Sequence, residues 1–98
     1  MAYMIQTFDK EDGELVRSTH RAAHYEYLEG YKHLLIASGG LQDEAGERFM
    51  GSCILLDVDS LEEVQAFIAE DPFHKAGLAD HVVISRWKAA FVSGDRVG

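Results

Sequence analysis

The sequence predicts an α+β fold, a ferredoxin-like βαββαβ sandwich. Its four-stranded antiparallel sheet carries two helices on one face, and the domain is expected to dimerise through the sheet. Three observations predict this. Four short blocks are rich in apolar, branched and aromatic residues. Two further stretches repeat apolar residues at helical spacing. The six follow one another as β-α-β-β-α-β within 98 residues, with no linker and no short-period repeat. The whole of 1–98 reads as a single domain, with a core over about 2–91 and a tail over 92–98.

Ala2 to Phe8 reads as the first strand, and the polar run Asp9-Lys10-Glu11-Asp12-Gly13 turns the chain. From Glu14 to about Lys32 there is no proline, and Gly30 alone is a poor helix former, so a long helix is expected. At 100° per residue, Val16, His20, Ala23, Tyr27 and Tyr31 form one stripe, with His24 and Leu28 on its flank. Leu34 to Ser38 is the second strand, expected to end at Gly39-Gly40. Gln42 to Arg48 reads as a loop or wide hairpin, and Phe49 to Val58 as the third strand. Ser60 caps a second helix, with Glu63 completing a capping box; Leu61, Val64, Phe67 and Ile68 mark its buried side. Pro72 and Gly77 bracket a turn or a single helical turn. The last strand runs from about His81 to Phe91, and Ser93 to Gly98 is expected to fray.

Apolar residues occupy both alternating sets of the later strands. Ile54 and Leu56 stand against Cys53 and Leu55, and Val83 and Trp87 against Val82 and Ile84. The face without helices therefore needs a cover, and a second copy of the chain is the simplest one, so a homodimer is expected.

The net charge is −8, from 17 acidic and 9 basic residues, and the basic residues are scattered. That balance repels nucleic acid and anionic membrane surfaces, so neither is expected as a partner. No apolar run approaches the ~18 residues of a membrane span. The single cysteine, Cys53, excludes an intrachain disulfide and a cysteine metal cluster, and mid-strand it reads as inert packing. Charge follows the first few residues at once, without a signal-peptide pattern, so a cytoplasmic protein is expected. Gly39-Gly40 lacks the remaining glycines, lysine and hydroxyl of a phosphate-binding loop, and no dinucleotide fingerprint exists. No organic cofactor is indicated.

The residues with chemical potential are His24 on the first helix and Asp71 in Asp71-Pro72-Phe73-His74. A carboxylate beside an imidazole fixes its tautomer and stabilises its cation, which suits proton transfer near neutral pH. Spacing alone does not bring the two together. A histidine bonded to backbone at the core edge, and an aspartate opening a turn before proline, are the structural alternatives. His20 and His24 have a spacing compatible with metal. A zinc site needs a third ligand, and the glutamate of H-E-x-x-H is missing, so no metal is expected. Arg21 is either an anion-binding side chain or a solvated helix charge. Ser38 and Ser52 bond either a ligand or the backbone. Tyr27, Tyr31, Phe73 and Trp87 line either a cleft or the core.

Arg21-Ala22-Ala23-His24 with Leu28, Gly39-Gly40-Leu41, Gly51-Ser52, Asp71-Pro72-Phe73 and Gly77 stand in an order that resembles the YCII-related family of the dimeric α/β-barrel group. The likeness spans about Tyr3 to Phe91. It implies a dimeric ferredoxin-like fold with a site centred on a first-helix histidine and the aspartate of the Asp-Pro motif, which match His24 and Asp71. The chain departs from the family in Gly40 where proline is frequent, in Tyr25 where leucine commonly follows the histidine, and in His74, which is expected to add a second titratable group to the pocket. Family members mostly lack a defined activity. A few relatives in aromatic-degradation pathways are dehydrochlorinases, and distant ones include lactone isomerases and small monooxygenases.

Two functions of different kinds follow. One is a cofactor-independent enzyme on a small organic molecule, with catalytic His24 and Asp71 and with Arg21, Ser38, Ser52, Phe73 and His74 binding substrate. Elimination, isomerisation or lactone-type chemistry fits it, whether lyase, isomerase or hydrolytic. The other is a non-catalytic dimeric module that binds a metabolite or protein in the same cleft.

Overall fold

A computed structural model describes residues 2–98. Strand β1 is Ala2–Asp9, helix α1 Glu14–Glu29, strands β2 and β3 Leu35–Gln42 and Phe49–Leu56, and helix α2 Leu61–Glu70. A four-residue helix, α3, covers Pro72–Lys75, and β4 covers Ala79–Trp87. The main sheet is antiparallel throughout, in the order β2-β3-β1-β4. The fold is the expected one.

The inner face of the sheet is set by alternation along β1 and β3. Tyr3 and Ile5 lie opposite Leu56 and Ile54 and are buried with Leu28, Val58, Val64 and Phe67. Ser60 caps α2: its hydroxyl accepts from the Glu63 N–H and donates to the Glu63 carboxylate, both at 3.2 Å. Asp71 caps α3 in turn, accepting from the Phe73 N–H at 3.0 Å, with Pro72 at the first helical position, where its missing N–H costs nothing.

Four expectations are corrected. Helix α1 ends at Glu29, because Gly30 starts a run of turns. Its buried side is rotated: His24 and Leu28 are its most deeply buried residues, whereas Ala23 is exposed. Strand β2 runs through Gly39-Gly40 to Gln42, with Gly40 opposite Ser52 and Leu41 opposite Gly51. The glycines are accommodated because β3 supplies the ladder, and a Cβ on Gly40 would strike the Phe49 ring. Strand β4 stops at Trp87. Phe91–Val92 (β5) then pairs with Asp95–Arg96 (β6) in a small hairpin, turned by Ser93 and Gly94 at φ 52° and 83°.

The outer face of the sheet carries Met4 opposite Leu55, Gln6 between Cys53 and Val83, and Phe8 beside His81. Val83 is 42% exposed. No helix among the described residues is long and apolar enough to cross a membrane.

Candidate active site

Helix α1 crosses the inner face of the sheet beside β2 and β3, and a cleft of about 440 Å³ opens between them. One wall carries Arg17, Arg21, His24 and Leu28 of α1. Ser38, Gly39 and Gly40 of β2 and Arg48, Phe49, Ser52 and Ile54 of β3 and its loop form the others, with Phe73 at the base.

His24 and Asp71, forty-seven residues apart in sequence, meet here: Nδ1 to Oδ1 is 2.7 Å. The residues are 5% and 8% exposed. A carboxylate oxygen only accepts, so Nδ1 carries the hydrogen and donates it to Asp71. Nε2 is then the bare nitrogen. It has no hydrogen-bond partner among the described residues, and no fully buried side-chain nitrogen or oxygen among them lacks one, so Nε2 is not sealed from solvent; His24 lines both this cleft and a smaller pocket shared with Asp71, Phe73 and His74. Asp71 is outside the lining of the larger cleft and lines the smaller pocket beside His24. Its Oδ1 serves two donors at once, the imidazole and the Phe73 N–H. The turn-opening and histidine-pairing readings of Asp71 therefore describe one arrangement. Phe73 stacks on the imidazole with centroids 4.0 Å apart and planes within 13°, which sets the ring's tilt.

Other sequence candidates divide. Arg21 and Ser38 line the cleft from exposed positions, and Ser52 lines it from a buried one. Phe73 lines it, whereas Tyr27 and Tyr31 pack against Phe67 in the core. Tyr27 donates its hydroxyl to the Phe67 carbonyl at 2.8 Å. Burial pushes its phenol above the ordinary value, with Tyr31, Asp71 and Glu70 adding to the effect. Trp87 lies away from this cleft, and His20 is half-buried outside its lining; His74, exposed on α3, is outside the larger cleft but lines the smaller pocket with His24, Asp71 and Phe73. Among the described residues no group of three or more His, Cys, Asp or Glu is placed to hold a metal ion.

Sequence reasoning missed Arg17. Its Nε and Nη2 donate to the two oxygens of Asp9 at 2.8 and 2.9 Å, and Nη2 also to Ser52 Oγ at 3.2 Å. The guanidinium lies over the rings of Phe73 and Phe49, 4.9 and 5.4 Å from their centroids. The signal was present: Arg17, Arg21, His24 and Leu28 recur at helical spacing and share one face. Tyr25, Phe49 and Arg48 were also missed. Arg48 is paired with Glu14 at 2.8 Å.

A sequence model of the YCII-related domain matches residues 1–88. Protein YciI of Escherichia coli O6:H1 is 31% identical over 98 residues, covering 93% of this chain and 100% of that protein. Among solved structures, a 5-chloro-2-hydroxyhydroquinone dehydrochlorinase from Burkholderia phenoliruptrix AC1100, in complex with 2,5-dihydroxybenzoquinone, is 32% identical with a TM-score of 0.86. The alignment covers 90% of this chain and 94% of that one. An ethyl tert-butyl ether d (ethd) family protein from Bacillus halodurans C-125, 17% identical with a TM-score of 0.50, covers 90% and 99% and shares the fold alone. With a family match over 88 residues and relatives of this identity along nearly the whole chain, the protein belongs to the YCII-related family.

Proposed function

We propose that this protein is a cofactor-independent enzyme that moves a proton on a small planar organic molecule, with His24 as the base and Asp71 as its positioning partner. The observation that carries the reading is the 2.7 Å His24–Asp71 contact at the edge of the cleft that His24 lines, which leaves Nε2 free to act as the base. A base so placed takes a proton from a substrate carbon or hydroxyl, and Asp71 stabilises the resulting imidazolium. The likeness to a dehydrochlorinase supports elimination as the reaction. In a net loss of HCl from a chlorinated hydroxyhydroquinone, one hydroxyl proton shifts to the chlorine-bearing carbon to give the keto tautomer, a second hydroxyl proton goes to Nε2 as chloride leaves to water, and the ring ends as a hydroxyquinone; no electrons are exchanged with a cofactor.

The test supplies 5-chloro-2-hydroxyhydroquinone and measures chloride release. The wild type releases chloride, and His24→Gln slows it about a hundredfold to ten-thousandfold while remaining folded. Unchanged release by His24→Gln sinks the catalytic role. The alternative of a ligand-binding module predicts saturable ligand binding with no turnover in either protein.

The outer face of the sheet, with Met4, Cys53, Leu55 and Val83 around Gln6, favours a homodimer formed through it. Sedimentation equilibrium then gives twice the chain mass for the wild type, and Val83→Asp shifts it toward monomer. A monomeric wild type at micromolar concentration contradicts this.

A further inference from the structure

We infer that Phe49 is the specificity-determining side chain of the cleft, aimed inward by a bulge at Met50 and seated over Gly40, and that it sets how large a molecule the cleft admits. The inference rests on the reading that a small molecule occupies this cleft, and it adds what limits the size of that molecule.

Strand alternation by itself would turn Phe49 the other way. Ser52 and Ile54 of β3 line the cleft, so counting back by two puts Met50 on that face and Phe49 on the outer one. The pairing with β2 breaks the count. Leu41 lies opposite Gly51 and Gln42 opposite Phe49, which leaves Met50 as an extra residue in the ladder. One extra residue reverses the alternation beyond it and re-aims a side chain. Phe49 accordingly lines the cleft, whereas Met50 is 47% exposed and outside its lining.

Gly40 completes the device from the neighbouring strand. A Cβ there would stand 2.5 and 2.6 Å from Phe49 Cε1 and Cδ1, while its next neighbour, the Gly51 carbonyl oxygen, would be 3.8 Å away. The ring alone therefore bars a side chain at position 40, and the bare backbone of Gly40 is its seat. From the helix side, the guanidinium groups of Arg17 and Arg21, one turn apart on α1, lie 5.4 and 5.8 Å from the Phe49 centroid. The ring thus stands between the sheet and the helix that wall the cleft. Pushed off Gly40, it moves toward α1 and narrows the space beside His24; removed, it widens that space. Such a wall discriminates by clash with larger molecules, with no polar contact required. Phe49 is half-buried and outside the buried core, so Phe49→Ala leaves the fold in place.

The experiment titrates purified protein with two coloured probes, 2,5-dihydroxybenzoquinone and the two-ring 2-hydroxy-1,4-naphthoquinone. The wild type is expected to bind the one-ring probe more tightly. Phe49→Ala shifts the ratio of the two dissociation constants toward the two-ring probe by about five- to hundredfold, the relief of an overpacked contact. A wild type that binds neither probe, or a ratio that Phe49→Ala leaves unchanged, overturns the inference. A second measurement needs no ligand. Gly40→Ala is expected to lower the urea midpoint of the wild type and to leave that of Phe49→Ala unchanged, because the new Cβ meets the ring and little else. Equal losses in the two backgrounds overturn the seating of Phe49 on Gly40. His24→Gln is expected to keep the size preference. A wild type that shows the preference without turnover therefore sinks the catalytic reading and leaves the role of Phe49 standing.

Discussion

Replacing Asp71 by Asn and by Ala separates what its carboxylate does for the fold from what it does for the imidazole. Asp71 Oδ1 accepts from the buried His24 Nδ1–H at 2.7 Å and from the Phe73 N–H at 3.0 Å. Asparagine can place its carbonyl oxygen at the same point and keep both bonds. It loses only the charge assistance, the difference between a charged and a neutral hydrogen bond, about 1 kcal/mol. Alanine removes the cap of α3, worth about 1 kcal/mol. It also leaves the imidazole N–H buried without an acceptor, a further 1–3 kcal/mol by the usual cost of an orphaned donor, or about 2–4 kcal/mol in all. In a domain of this size each kcal/mol moves the midpoint of thermal unfolding by about 4–8 °C. Urea unfolding at fixed protein concentration and neutral pH reads the two variants, with an unchanged m value as the control for compactness. Chloride release is expected to fall in both variants, although Asn stays close to wild type in stability. Equal destabilisation by Asn and Ala would refute the reasoning, since the double acceptor would then not be what Asp71 contributes.

Further expectations concern the surroundings. A Cβ on Gly51 would run into the Thr7 carbonyl across the sheet. Gly51→Ala is therefore expected to cost about 1–3 kcal/mol or more in urea unfolding, and a neutral effect would contradict the close approach of β1 and β3. Tyr27 keeps its proton more tightly in the folded protein than in the unfolded chain, because burial raises its pKa. Its contribution is full below the ordinary tyrosine value near 10 and is lost as pH rises above it. The stability advantage of wild type over Tyr27→Phe should narrow in alkaline denaturation series, and a constant gap would argue against the buried phenol. Double substitution of His24→Ala with Asp71→Asn should be less destabilising than the sum of the single effects by more than about 0.5 kcal/mol. Strict additivity would mean the two side chains do not interact.

Element order was legible because hydrophobic periodicity changes from strand-like to helical along the chain, and because Ser60 announces a helix start and Asp71-Pro72 a turn. What escaped the sequence depended on partners distant in the chain. Gly39-Gly40 reads as a break until β3 is laid beside it and Phe49 fills the space a side chain would need. The phase of α1 was misjudged because Ala23 looked apolar enough to face inward, whereas the cleft turns His24 and Arg17 to that side. Asp9 looked like part of a polar turn. It closes β1 on the inner face, where Arg17 reaches it, and that pairing spans the first turn and the start of α1. The meeting of His24 and Asp71 came from the family resemblance, because no local pattern links a mid-helix histidine to an aspartate before proline. His74 follows the Asp-Pro-Phe motif in sequence, yet α3 leaves it outside the lining of the larger cleft.

The central claim is that Asp71 holds His24 with hydrogen on Nδ1 and so leaves Nε2 bare. Long-range ¹H–¹⁵N correlation spectra of the five imidazoles, recorded where the ring of His24 is neutral and assigned with His24→Gln, read this directly. The account predicts a protonated, pyrrole-type Nδ1 and an unprotonated Nε2 for His24, with that preference weakened in Asp71→Asn. A neutral His24 carrying its hydrogen on Nε2 would contradict it.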